Sequence, residues 1–128
     1  MSLFSRQKPK PALVFVVDDE LPVLELTKTV VSDMGHDVRA FSNPEDALLE
    51  FKNLRPALIL TDYAMPRMSG MDLIRECRLI NPSQKAALIS GTVDGSIFAN
   101  AAVKPDRFVA KPYQIRQLAE LVTELLKD

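Results

Sequence analysis

Leu13-Val14-Phe15-Val16-Val17 is a continuous run of branched and aromatic side chains, and it stops at Asp18-Asp19-Glu20. Successive side chains of a strand point to opposite faces, so an apolar run without polar alternation predicts a strand buried on both sides. The acids mark where the chain leaves the sheet. Downstream, helix-period segments alternate with short apolar runs. Val23, Leu26, Val30 and Met34 stand three and four apart over 22–34 and predict a helix with that stripe inward, with Gly35 just past its end. Residues 38–41 predict a short strand. Ser42-Asn43-Pro44 opens a second helix, with Asn43 as cap, Pro44 in the first position, and Ala47, Leu48 and Phe51 on one face. Strands follow at 57–61, 86–90 and 107–110. Between them, Met71, Ile74 and Cys77 or Arg78 predict a third helix that Asn81-Pro82 ends. The fourth helical segment, 94–103, is the weakest, since it holds Gly95 and Asn100. Ile115, Leu118, Val122 and Leu125 stripe a closing fifth helix.

Five strands alternating with helices call for a parallel sheet covered on both sides. The expected fold is α/β, a doubly wound five-stranded parallel sheet with flanking helices in a flavodoxin-like topology. At 128 residues and 47% hydrophobic content the chain makes one domain, 12–128, after a polar leader over 1–11 read as flexible. Sixteen basic against seventeen acidic side chains leave no global field to draw in nucleic acid or an anionic membrane. Apolar runs such as Leu13–Val17 fall far short of the ~20 residues that span a bilayer, and 1–11 lacks the apolar core of a signal peptide. A cytoplasmic protein is expected. Cys77, the single cysteine, excludes an internal disulfide and reads as an apolar filler. His36, the single histidine, falls in the turn Gly35-His36-Asp37 and is expected to be exposed.

Ligands of an open α/β sheet bind outside the carboxyl ends of the strands. Asp18-Asp19-Glu20 follows the first strand, Asp62 the third, Ser90-Gly91-Thr92 the fourth, and Lys111-Pro112 the fifth. Alone, Asp18 and Asp19 could be an acidic first helical turn, stabilised by the helix dipole. Asp62 converging on them is different, because clustered carboxylates raise one another's pKa unless a cation compensates. Carboxylate and carbonyl oxygens suit Mg²⁺. Lys111 can serve as counter-ion to Asp62 and then as ligand for a phosphoryl oxygen. The Ser90 hydroxyl can hydrogen-bond the same group.

Val17-Asp18-Asp19-Glu20, Leu60-Thr61-Asp62-Tyr63-Ala64-Met65-Pro66 with Ser69-Gly70, Leu88-Ile89-Ser90-Gly91, and Phe108-Val109-Ala110-Lys111-Pro112 together resemble the response-regulator receiver domain of two-component signalling. The resemblance covers 13–126. It implies that Asp62 is the phosphoacceptor, that Asp19, Asp62 and the Ala64 backbone carbonyl ligate Mg²⁺, and that Asp18 acts largely through water. It also implies that Lys111 contacts the phosphoryl group and that the Lys111–Pro112 bond is cis. The donor would be a histidine kinase or histidine phosphotransfer protein, in a phosphorelay chemistry of self-phosphorylation with no turnover of an outside substrate. Ser90 and Phe108 would be switch residues: Ser90 moves toward the phosphoryl oxygens, Phe108 rotates in, and the face of the fourth helix, fifth strand and fifth helix repacks for a downstream protein target or a second phosphorylated copy. Direct nucleic-acid or membrane contact is not implied.

Ala64 stands where many relatives place a polar residue that orients the hydrolytic water, and Thr92 is small. Slow autodephosphorylation is therefore expected. Ala102-Val103-Lys104-Pro105 replaces the usual Ala-Gly-Ala signature. A flavodoxin-like redox module would need a Ser/Thr/Gly-rich phosphate cradle where Asp18-Asp19-Glu20 stands. An aspartyl phosphatase of the haloacid-dehalogenase type would need an acid at Ala64. A phosphorylation-independent receiver-like interaction module would keep the fold without the chemistry. The last helix runs almost to Asp128, so the domain is expected either to stand alone or to be part of a longer regulator or hybrid kinase.

Overall fold

The computed structural model describes residues 10–91 and 101–127. Five parallel strands, β1 (Leu13–Val17), β2 (Asp37–Phe41), β3 (Leu58–Asp62), β4 (Lys85–Ser90) and β5 (Arg107–Ala110), form one sheet in the order β2-β1-β3-β4-β5. The helices are α1 (Leu21–Asp33), α2 (Pro44–Phe51), α3 (Gly70–Ile80) and α4 (Ile115–Leu125), the last being the expected closing helix. Of the helix expected over 94–103, residues 94–100 lie outside the described residues and 101–103 are not helical.

Strand alternation divides the core in two. Val14, Val16, Leu58, Leu60, Ala87 and Ile89 pack against α1 and α4. Their neighbours Phe15, Val17, Ile59, Ala86 and Leu88 pack against α2 and α3. This is why the central strands carry no polar alternation until they end. Cys77 is buried in the second layer. Asn43 caps α2 as expected, its Oδ1 accepting from the Asp46 N–H at 2.9 Å, and Gly35 takes a φ of 97° after α1. Arg78 ties α3 to the segments entering β4 and β5, donating to the carbonyls of Gln84 (3.0 Å) and Lys104 (2.6 Å) and to Asp106 Oδ2 (2.9 Å).

Three expectations need correction. The inward face of α1 is Leu24, Thr27, Val30 and Val31, whereas Leu26 is 43% exposed. Thr27 lies inward because its hydroxyl bonds that of Tyr113 at 2.7 Å, joining α1 to the segment before α4. The stripe read from apolar residues alone was therefore rotated. Ile115 begins α4 on its outer side, 58% exposed, and only Leu118, Val122 and Leu125 of its stripe are buried. His36 is buried, not exposed: its Nδ1 accepts the Ala12 N–H at 3.1 Å, while Asp37 N–H donates to the Ala12 carbonyl. The histidine thus closes the amino end of the β1–β2 pair.

Candidate functional site

Four of the five strands, β1, β3, β4 and β5, deliver a polar residue at or just past their carboxyl ends to the same edge. Asp18 leaves β1 with its N–H still bonded to the Phe41 carbonyl, and its Oδ1 accepts the Glu20 N–H at 2.9 Å. Asp62 is the final residue of β3, with Oδ1 accepting the Tyr63 N–H at 2.8 Å. Ser90 ends β4, and its carbonyl accepts the Lys111 N–H at 2.9 Å, fixing those two residues side by side. Asp18, Asp62 and Ser90 are all buried, whereas Asp19 and Ala64 are exposed.

Lys111 holds the cluster together. Its Nζ lies 2.6 Å from Glu20 Oε1, 2.9 Å from Asp18 Oδ2 and 3.5 Å from Asp62 Oδ1. Burial alone would lower the ammonium's pKa, but the hydrogen bonds of Glu20 and Asp18 and the charges of Asp18 and Asp62 hold it above the ordinary lysine range. Burial pushes the Asp62 carboxyl up to about 6, with the nearby Asp18 charge adding to the effect and Lys111 opposing it. Asp18 is raised as well, again chiefly by burial, although the Glu20 N–H and Lys111 counter it. The Lys111–Pro112 peptide is cis, as the resemblance implied.

A cleft of about 620 Å³ opens here, and Asp19, Glu20, Asp62, Ala64, Ser90 and Lys111 line it. Val23 and Leu26 of α1, with Pro112 and Tyr113, form its apolar wall. Carboxylate oxygens of Asp18, Glu20 and Asp62 lie within 4.8 Å of one another. These are hard oxygen donors around a desolvated charge, and the set fits a divalent cation such as Mg²⁺. Asp19, expected to be a direct ligand, lines the cleft outside that closest trio. The sequence pattern assigns Glu20 no role of its own. Its place in the acidic run was a hint, but its contact with Lys111, 91 residues away in sequence, exists only in the fold. Phe108, on β5, is 40% exposed. Thr92 lies outside the described residues.

Met65 is buried and Tyr63, Met68 and Met71 are partly buried against the second core layer, so the loop from β3 to α3 is packed rather than draped. Gly70 N–H donates to the Tyr63 carbonyl at 2.8 Å, and a reciprocal capping box between Ser69 and Asp72 starts α3. A Cβ on Gly70 would overlap the backbone carbonyl of Asp62. Glycine is needed there so that α3 can approach the acid's own backbone.

Fold and site define an α/β domain with a lysine-closed acidic pocket at the carboxyl edge of its sheet. The family model for the response regulator receiver domain matches residues 14–123, and the chain belongs to that family. It is 27% identical over 116 residues to the chemotaxis protein CheY of Thermotoga maritima, covering 89% of this chain and 97% of that one. It is also 27% identical over 114 residues to the DNA-binding response regulator MtrA of Mycolicibacterium smegmatis, covering 89% of this chain but only 50% of MtrA. The probable transcriptional regulators ycf27 and TcrX are, like MtrA, matched over about half of their length. A CheY-like receiver domain protein from Methanospirillum hungatei superposes with a TM-score of 0.81 at 26% identity, over 90% of this chain and 93% of that one. Among the described residues no helix is long and apolar enough to cross a membrane.

Proposed function

We propose that this receiver domain is a cytoplasmic phosphoacceptor in a two-component phosphorelay, with Asp62 as the acceptor. The observation that carries the reading is the pairing of a buried, desolvated Asp62 with Lys111 at 3.5 Å, beside the Asp18 carboxylate and the Ser90 hydroxyl at one mouth. A carboxylate oxygen of Asp62 forms a bond to the phosphorus of a phosphohistidine as the P–N bond breaks. The bonding pair stays on the imidazole nitrogen, which takes up a proton from solvent, and an aspartyl phosphate remains. Lys111 exchanges part of its contact with Glu20 and Asp18 for a phosphoryl oxygen, and Ser90 donates its hydroxyl to another. Asp18, Asp19, Asp62 and the Ala64 carbonyl would hold Mg²⁺, with Glu20 within reach. When bound, the ion supplies positive charge against the phosphoryl oxygens.

The apolar wall of Val23, Leu26 and Pro112 beside the acid suits a helical donor such as a histidine kinase or phosphotransfer protein. Phosphorylation draws Ser90 in, Phe108 turns from the surface, and the β5–α4 face is presented to a downstream protein. Water then cleaves the acyl phosphate slowly, because the Ala64 methyl offers no polar group to orient it. The domain turns over no other substrate.

Intact-protein mass after incubation with acetyl phosphate and Mg²⁺, beside Asp62→Ala, tests this. One phosphoryl adduct that requires Mg²⁺ and is absent from the variant is expected. An adduct that survives in Asp62→Ala, or none on folded wild-type protein, would overturn it. In the second case a phosphorylation-independent binding module becomes the better reading.

A further inference from the structure

Arg67 is the one non-glycine residue with positive φ among the described residues, at 70°. The Met68 N–H donates to the Pro66 carbonyl at 2.8 Å, a bond that spans two residues with Arg67 at its centre. That is a γ-turn of the rare, strained sense, which glycine reaches freely and a residue carrying a Cβ resists. Across the loop, the Arg67 guanidinium grips Glu45 with both arms, Nε to Oε2 at 2.7 Å and Nη2 to Oε1 at 3.2 Å. Glu45 belongs to the first turn of α2. Its carboxyl is held below its ordinary range and the guanidinium above its own, each chiefly by this hydrogen bond.

The strained turn sits three residues after Ala64. The loop's inner side is fixed by Met65 in the core, and its base by the bond from Gly70 to Tyr63. What fixes its outer side is the bridge to α2. We infer that Arg67 and Glu45 form a latch that holds the turn and so presents the Ala64 carbonyl toward the metal cluster. This rests on the reading of Ala64 as a Mg²⁺ ligand. Arg67 and Glu45 are positioning residues, and neither lines the cleft.

An ordinary exposed ion pair would add little, and either half could be removed with the same small effect. A latch on a strained turn behaves differently, because the need for it disappears when position 67 is glycine. Three variants of the full chain, Glu45→Gln, Arg67→Gly and the double E45Q/R67G, separate the cases. Mg²⁺ alone is titrated by calorimetry, and exchange of the Met68 amide is followed without metal.

Glu45→Gln is expected to weaken Mg²⁺ by about threefold to tenfold and to speed Met68 exchange, since the strain remains without its restraint. Arg67→Gly and the double variant are expected to match wild type in both. Unchanged affinity and exchange in Glu45→Gln would overturn the latch. So would equal weakening in the double variant, which would mean that the ion senses the Glu45 charge and not the turn. A wild-type chain that binds no Mg²⁺ overturns the metal reading and the presentation of Ala64 to it. The exchange rates then decide separately whether the pair holds the turn.

Discussion

Asp62 is held between opposing influences that single substitutions can separate. Burial and the Asp18 charge raise its pKa, while Lys111 and the Tyr63 N–H lower it. A nucleophilic carboxylate must be ionised, so this balance bears on the chemistry directly. Followed by its carboxyl carbon resonance without Mg²⁺, Asp62 is expected to titrate with an inflection near 6. Asp18→Asn removes a like charge and lowers the inflection, whereas Lys111→Ala removes a counter-charge and raises it. An inflection in the ordinary aspartate range, unmoved by either change, would mean that the acid is solvated and the cluster electrostatically inert. Lys111 itself stays charged throughout, gripped by Glu20 and Asp18.

At the scale of elements, the site depends on how closely α3 can approach β3. Gly70→Ala sets a methyl group against the Asp62 carbonyl and the Leu88 side chain, so the amino end of α3 has to move. Overpacking of this kind typically costs about 1–3 kcal/mol. Chemical denaturation should show a loss in that range, and acetyl phosphate labelling of the folded variant should be slowed. Wild-type labelling with intact stability would mean that the helix end yields without disturbing the acid. Much of this architecture was legible beforehand. Strands such as Leu58–Asp62 are buried on both sides, so hydrophobicity alone marks them, and Asn43-Pro44 announces α2 by local chemistry. The four site-bearing strand ends could be read as one edge because parallel alternation leaves them no other place. Where the reading missed Thr27, His36 and Glu20, a polar group was satisfied by a partner distant in sequence. Thr27 faces inward because of Tyr113, His36 is buried by its bond to Ala12, and Glu20 meets Lys111 across the sheet edge. Apolar periodicity carries no trace of such pairings.

For the whole molecule, these buried groups give the stability curve opposing limbs. Asp62 has a raised pKa in the folded state, so between about 6 and its ordinary value of 3.8 the folded chain binds more protons than the unfolded chain. Its contribution is therefore unfavourable above pH 6 and relaxes as pH falls toward 4. His36 acts the other way. Burial lowers its pKa below the ordinary 6.5, and its Nδ1 must stay unprotonated to accept from Ala12. The stability that depends on neutral His36 is full above pH 6.5 and declines as pH falls below it. Denaturation of wild type, Asp62→Asn and His36→Gln at pH 7.5, 6.0 and 5.0, without Mg²⁺, resolves the two. Asp62→Asn is expected to exceed wild type at pH 7.5 by on the order of 3 kcal/mol, with the gap closing at lower pH. The difference between wild type and His36→Gln should instead shift against wild type below pH 6.5. A gap for Asp62→Asn that does not vary with pH would place the cost of the acid in packing and not in charge. Adding Mg²⁺ at pH 7.5 completes the comparison by linkage: wild type should gain stability with ion concentration while Asp62→Asn gains much less, because a ligand stabilises only a fold that still binds it.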